Sequence, residues 1–210
     1  MKSIDKLIGI IKALRAPDGC PWDRAQTHKS IRGHLVEECA ELLEAVDLDS
    51  PEKMREELGD VLMHIALHCE IASEEGRFDF DDVVEELCQK LVRRHPHVFA
   101  GKTANTSDDV LKIWNDVKAQ EKKERAVGKT FDGIPPSLSA LRYALDIAKK
   151  ADAGMLDSVA QSAPKDDSPA ALGALMFALV RRAAALKIEP EGALRDYISL
   201  VREEASKRGV

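Results

Sequence analysis

The stretch HLVEECAELLEAVDLDSPEKMREELGD, residues 34–60, decides the fold because it encodes two amphipathic helices joined by a short turn. The helices are predicted over about 28–47 and 51–75, since apolar residues recur at intervals of three and four residues. Ser50 and Pro51 are typical of the N-cap and first turn of the second helix. The apolar stripes that would pack the two helices antiparallel comprise Leu42, Leu43, Val46, Leu58, Val61, Leu62 and Ile65.

The same two helices carry carboxylates at spacings that place them on one face. Glu38 and Glu41 are three residues apart on the first helix, and Glu57 and Asp60 are three apart on the second. Two such pairs facing each other would repel without a cation between them, and an all-oxygen ligand set suits Mg²⁺ or Mn²⁺. These four residues are therefore the predicted metal ligands.

Acidic residues at helical spacing also form ordinary solvated faces, which is the commoner outcome for a single helix. Here the acids interleave with the apolar stripe, and the two acidic helices are adjacent in sequence. His34 and Lys53 lie one turn before the two clusters, where positive charge could meet a polyphosphate. The pattern favours a site for a divalent metal and phosphate.

Five ordered blocks, covering roughly residues 4–137, resemble the MazG-type all-α nucleoside triphosphate pyrophosphohydrolases. The acidic blocks are Glu37-Glu38-x-x-Glu41 and Glu56-Glu57-Leu58-Gly59-Asp60-Val61-Leu62. The other three blocks are Gly19-Cys20-Pro21-Trp22-Asp23-x-x-Gln26-Thr27-His28, Glu75-Gly76-Arg77-Phe78-Asp79 and Arg93-Arg94-His95-Pro96-His97-Val98-Phe99. One acidic motif alone would carry little weight, whereas five blocks in family order are specific.

The resemblance implies an all-α, MazG-like helical bundle that hydrolyses nucleoside triphosphates to a monophosphate and pyrophosphate with Mg²⁺, for which Mn²⁺ could substitute. Glu37 or Glu56 would orient or deprotonate the attacking water, so the predicted catalytic set is Glu37, Glu38, Glu41, Glu56, Glu57 and Asp60. Such a helical module is expected to be a homodimer. The sequence leaves two roles open. The protein could remove non-standard or damaged deoxynucleotides, as a housecleaning enzyme does, or it could control the level of a signalling nucleotide.

The predicted substrate-binding residues are Trp22, His34, Lys53, Lys90, Arg94, Trp114 and Lys118. The resemblance points to Lys90 and Arg94 as triphosphate contacts and to Trp114 with Lys118 as a nucleotide-contacting pair. Each has an ordinary alternative, because basic residues favour helix C-termini and tryptophans are chiefly packing residues.

Beyond the acidic helices, the sequence predicts two domains, 1–130 and 131–210, with 152–168 as a disordered Ala/Ser/Asp-rich stretch. Helices are predicted over 3–15, 81–95, 107–127, 138–151, 169–187 and 190–207. Ser168-Pro169 followed by Ala171-Leu172-Gly173-Ala174 echoes the start and core of the second acidic helix without its carboxylates. The C-terminal domain is therefore predicted to be a shortened, degenerate MazG-like module, with chance similarity as the alternative.

Composition narrows the class of protein further. The net charge of −6, from 37 acidic and 31 basic residues among 210, argues against a nucleic-acid polymer as partner. No apolar run is long enough for a membrane span, the four cysteines form no paired motif, and the start lacks a signal peptide, so a cytoplasmic location is expected. The competing interpretation is a helical module that senses nucleotides or scaffolds a partner without useful turnover, which the degenerate C-terminal half keeps open.

Overall fold

The computed structural model describes residues 3–124, 131–164 and 166–208, and the regular secondary structure in these ranges is entirely helical, which confirms the all-α prediction. The chain forms two compact units that divide after Glu121. The first unit contains α1 (Ser3–Arg15), α2 (Pro21–Ala25), α3 (Arg32–Asp47), α4 (Pro51–Glu74), α5 (Phe80–Arg94), α6 (Pro96–Phe99) and most of α7 (Ser107–Glu124). The second contains α8 (Ala140–Lys150), α9 (Ala153–Gln161), α10 (Pro169–Ala185) and α11 (Pro190–Lys207).

The core of the first unit lies where α1 and the C-terminal half of α4 meet. Ile11 of α1, Ile31 before α3, and Leu67 and Ile71 of α4 are buried together. Helix α4 also packs along α3, as the short turn between them requires. Helix α5 begins at a capping box, in which Asp79 and Asp82 each accept a hydrogen bond from the other's backbone N–H. The acidic halves of α3 and α4 are thus held side by side.

Most of the seven apolar residues predicted to pack α3 against α4 are exposed in the single chain. Leu42 and Val61 are partly buried, but Leu43, Val46, Leu58, Leu62 and Ile65 remain exposed. Val36 of α3 is 65% exposed. The prediction that all seven residues of these apolar stripes pack α3 against α4 is therefore wrong for five of them. Two helices in contact bury only the side chains that lie between their axes.

Three short helices fall where the sequence analysis predicted none. Helices α2 and α6 lie in segments predicted as loops, and both begin at a proline in the first turn, a position that suits proline. Helix α9 occupies much of the stretch 152–168, so the predicted disorder there is wrong for residues 153–161. Asp152 caps α9 by accepting from the Met155 N–H, and Leu156 is buried.

The second unit has its own small core. Helix α8 packs against α10 and α11, with Leu145 of α8 and Val180 of α10 buried. Ser168 caps α10 as predicted, accepting from the Ala171 N–H. The structure divides within α7, whereas the sequence predicted a boundary near residue 130. Residues 125–130, which include the end of the helix predicted over 107–127, lie outside the described ranges. That this unit is a degenerate MazG-like module stays a prediction.

In the described part of the chain, none of the helices combines the length and the apolar composition needed to cross a bilayer.

Candidate active site

Three of the four predicted metal ligands lie together between α3 and α4. One carboxylate oxygen from each of Glu38, Glu41 and Glu57 lies within 4.8 Å of the others. Glu38 and Glu57 are half-buried and Glu41 is exposed, so the group is open to solvent on one side. The three-residue spacing on α3 and the antiparallel packing of α4 produce this arrangement, and the donor set is all oxygen, which fits a hard cation such as Mg²⁺ or Mn²⁺.

The electrostatics of Glu57 reflect this crowding. Burial in the helix interface raises the pKa of its carboxyl, and the charges of Glu41, Glu56, Asp60 and Glu38 raise it further, in that order. Asp60 is not among the three oxygens that lie within 4.8 Å, although it is half-buried and near enough for its charge to act on Glu57. A bound cation would remove the repulsion that these groups exert on one another.

A row of rings leads from the acidic cluster to α2. Nε2 of the buried His64 lies 3.8 Å from Oε1 of Glu38, and the His64 ring lies 6.5 Å from the ring of His34. His34 is in turn 6.3 Å from the ring of Trp22, which is 57% exposed. Trp22 therefore lies at the solvent end of this row of rings, with more than half of its surface exposed.

The loop that carries Trp22 is held by one guanidinium. The Arg15 side chain is only 5% exposed and forms a two-point ion pair with Glu74 at the end of α4. Its Nη1 donates to the backbone oxygens of Asp23 and Gln26, the latter at 3.2 Å, and the Gln26 amide donates to the Trp22 carbonyl at 2.9 Å. The hydrogen bond to the Glu74 carboxylate raises the pKa of Arg15 and lowers the pKa of Glu74.

A second group of predicted site residues lies between α5 and α7. The Arg94 guanidinium lies over the Trp114 ring, with Cζ 5.1 Å from the ring centroid, and the His95 ring meets the same indole edge-on at 5.0 Å. Arg94 Nη2 donates to Glu121 Oε2 at 2.6 Å, and Arg93 Nε donates to Glu121 Oε1 at 2.6 Å. These two hydrogen-bonded guanidiniums lower the pKa of Glu121 to about 2.

The remaining predicted residues take positions on the same helices. Lys90 is half-buried one turn before Arg94, Lys118 is exposed one turn after Trp114, and Lys53 is exposed in the first turn of α4. Of the two candidates for the water-activating acid, Glu37 has an oxygen 3.1 Å from Nδ1 of His34. Glu56 is the other, and it is exposed beside Glu57.

Two contributors to this architecture were missed in the sequence. Glu121 follows Trp114 by seven residues and Lys118 by three, so helical spacing alone places it on their face. Arg15 could not be found this way, because its partners lie 8, 11 and 59 residues away. Contacts between elements so far apart leave no periodic signal.

Comparison with known proteins supplies the family. Residues 26–99, which contain α3, α4 and α5, match the family model of the MazG nucleotide pyrophosphohydrolase domain. The chain is 38% identical over 207 residues to the nucleoside triphosphate pyrophosphohydrolase/pyrophosphatase MazG of Thermotoga maritima, covering 91% of this chain and 79% of that protein. The chain belongs to the MazG family.

Other MazG relatives are similar over much of the chain. It is 42% identical over 151 residues to the nucleoside triphosphate pyrophosphohydrolase of Escherichia coli K12, which covers 71% of this chain and 57% of that protein. It is 39% identical over 228 residues to the uncharacterized protein YabN of Bacillus subtilis, covering 96% of this chain and 46% of that protein. The chain thus spans about half the length of these two relatives. The MazG domain model ends before α7, so Trp114, Lys118 and Glu121 lie outside it.

Proposed function

We propose that this protein hydrolyses nucleoside triphosphates to nucleoside monophosphate and pyrophosphate, with a divalent cation held by Glu38, Glu41 and Glu57. The observation that carries the proposal is the convergence of these three carboxylates from two helices within 4.8 Å, in a chain of the MazG family. The names of the Thermotoga maritima and Escherichia coli relatives support the same reaction. We include Asp60 as the fourth ligand, since it follows Glu57 by one turn on α4.

Charge and position assign different residues of the chain to different roles in this reaction. Mg²⁺, with Mn²⁺ as substitute, would polarise the phosphoryl group and lower the pKa of an attacking water. Glu37 or Glu56 accepts the proton of that water. The positive charges that offset the leaving pyrophosphate belong to Lys53, Lys90, Arg94 and Lys118. Trp22, whose ring lies 6.3 Å from that of His34, and the face of Trp114 that Arg94 leaves uncovered would contact the nucleobase.

We further propose that the active form is a homodimer built on the uncovered face of α3, α4 and α5. Large apolar side chains on these helices stay exposed in one chain: Val36, Leu43, Val46, Leu58, Leu62, Ile65, Val84, Leu87, Leu91 and Val92. Large apolar side chains exposed in this number on three helices are typical of a protein that buries them in an interface. Light scattering should give twice the chain mass, and Leu58→Glu should reduce it to the monomer mass. A cytoplasmic location stays a prediction.

The proposed reaction is tested by product analysis with and without added Mg²⁺. Nucleoside triphosphate should give pyrophosphate and monophosphate as first products, and Glu38→Gln or Glu57→Gln should abolish turnover in a folded protein. Release of orthophosphate with a diphosphate would place attack on the γ phosphate and contradict the proposal. Tight nucleotide binding without any turnover would favour the nucleotide-sensing alternative.

A matched control variant is Glu52→Gln, which removes an exposed carboxylate from the first turn of α4 outside the cluster. It should leave turnover and its dependence on Mg²⁺ unchanged. A panel of ordinary and damaged triphosphates assayed at equal concentration then ranks the substrates.

A further inference from the structure

Glu121 of α7 binds two arginines at the end of α5, and one of them, Arg94, is a candidate substrate residue. Its carboxylate is bound at once by Arg93 and Arg94, and the Glu121 side chain is only 13% exposed. Arg94 approaches it with Nε at 3.2 Å and Nη2 at 2.6 Å from the same oxygen, Oε2. Charge-assisted contacts of this kind fix orientation as well as contributing energy.

The guanidinium of Arg94 therefore has one edge and one face occupied. The edge formed by Nε and Nη2 faces Glu121, and the face lies over Trp114. Nη1 makes no hydrogen bond to any residue within the described ranges, which leaves the far end of the guanidinium for another anion. An arginine end with two parallel N–H groups matches a phosphate bidentately.

The charge balance at this place also favours an anionic ligand. One carboxylate offsets only one of the two guanidiniums that it binds, so the three groups keep a net positive charge. Lys90 and Lys118 add positive charge one turn along α5 and α7, respectively. Helix α7 thus contacts Arg94 through the carboxylate of Glu121 and the ring of Trp114, and the three charged groups together keep a net positive charge.

From these contacts we infer that Glu121 is a positioning residue for substrate binding, one that holds Arg94 so that its free end meets a phosphate of the nucleoside triphosphate. The inference rests on the proposed function, since it takes Arg94 to contact substrate. Without the carboxylate, the Arg94 side chain samples several rotamers, and substrate binding must then restrict them. Glu121 itself touches no phosphate.

The experiment compares Glu121→Gln, Glu121→Asp and the control Asp116→Asn, which removes an exposed carboxylate from the same helix. Affinity for an α,β-methylene nucleoside triphosphate, which resists cleavage at the α–β bridge, is measured by calorimetry with Mg²⁺. KM, kcat and Tm are measured on the same full-length proteins. We expect Glu121→Gln to weaken analogue binding and raise KM about tenfold, equivalent to about 1.4 kcal/mol, with kcat changed less than about threefold.

Glu121→Asp should recover part of the lost affinity because it keeps the charge, and Asp116→Asn should behave as wild type. In an Arg94→Lys background, Glu121→Gln should have little further effect, because it acts through Arg94. This double-mutant comparison decides the matter even if Glu121→Gln lowers Tm, since a general loss of structure would weaken binding in both backgrounds.

Besides equal weakening in both backgrounds, two results would overturn the inference. Tighter analogue binding by Glu121→Gln would mean that Glu121 competes with phosphate for Arg94, and an unchanged KM would mean that the ion pair is only structural. If wild type binds the analogue but does not cleave a triphosphate, the proposed function fails while the binding comparison still decides the role of Glu121.

Discussion

Arg15 and Glu74 form a two-point ion pair, with Nε at 2.8 Å and Nη2 at 2.7 Å from the two carboxylate oxygens. The pair joins the end of α1 to the end of α4, and the same guanidinium holds the backbone of the α2 loop through Asp23 and Gln26. We predict that Arg15→Met lowers the free energy of unfolding by about 2 kcal/mol, since several hydrogen bonds to a buried charged group are lost. Urea denaturation measures the change.

Glu74→Gln is the matched partner variant, and it should cost less because Arg15 keeps its carbonyl contacts and Glu74 is 40% exposed. The backbone N–H of Gln26 donates to the Asp23 carbonyl at the end of α2. In Arg15→Met, hydrogen exchange at this N–H should be faster than in wild type. Equal stability of Arg15→Met and wild type would show that the ion pair does not hold the loop.

Gly19 lies against the end of α1 more closely than any side chain allows. A Cβ at this position would overlap the carbonyl oxygens of Ala13 and Leu14, and backbone atoms cannot rotate away. Gly19→Ala should therefore destabilise the protein by about 3 kcal/mol, as severe overpacking does. Gly59→Ala on α4, where a Cβ meets nothing within 4 Å, is the control and should be neutral or slightly stabilising. Thermal unfolding of both variants compares the two sites.

Glu57 should destabilise the metal-free protein at neutral pH. Because its pKa is raised in the folded state, the folded protein binds more protons than the unfolded chain as pH rises through that pKa, and stability falls there. Glu57→Gln is predicted to raise Tm in a chelator and to flatten the fall in Tm as the pH rises above the ordinary pKa of a glutamate. It should also reduce the rise in Tm that Mg²⁺ causes in wild type.

For this test Glu52→Gln is again the control, since it removes one negative charge from α4 outside the cluster. An unchanged response of Glu57→Gln to Mg²⁺ would argue against Glu57 as a ligand.

The Nδ1 atoms of His28 and His68 lie within hydrogen-bond distance of each other, at 2.8 Å. Burial lowers the pKa of His68, and the nearby His28 and His64 lower it further. Below about pH 6.5 the unfolded chain therefore binds more protons than the folded protein, so stability should fall as the solution is acidified toward pH 5. His68→Gln should show a smaller fall in urea denaturation, and His28→Gln an intermediate one, because burial of His68 remains. Identical pH dependence in all three proteins would contradict this account.

Local sequence signals were sufficient to predict the long helices. Apolar spacing predicted α1 to its last residue, and Ser50-Pro51 predicted the start of α4. The carboxylate spacing also anticipated the pairing of Glu38 with Glu41, because both lie on one helix. Short helices such as α2 and α9 were missed, since a single turn or two leaves no measurable periodicity.

Contacts that depend on packing between helices were beyond the sequence. Nothing local distinguishes Leu42, which packs inside the chain, from Leu43, which is exposed, although both belong to the predicted stripe. The grouping of Glu38 and Glu41 with Glu57, rather than with Asp60, depends on the register between α3 and α4. That register is set by side chains on both helices together, and neither helix shows it alone.

Because the apolar face of α3, α4 and α5 is uncovered in one chain, the melting temperature of this protein should report dissociation as well as unfolding. In the proposed homodimer, separating the chains exposes surface that the fold of one chain leaves bare, so unfolding and dissociation become a single bimolecular equilibrium. Tm should then rise with protein concentration, and dilution alone should weaken both the fold around the carboxylates and the activity that depends on them. The concentration of the protein would then determine the fraction of chains that are folded, dimeric and active.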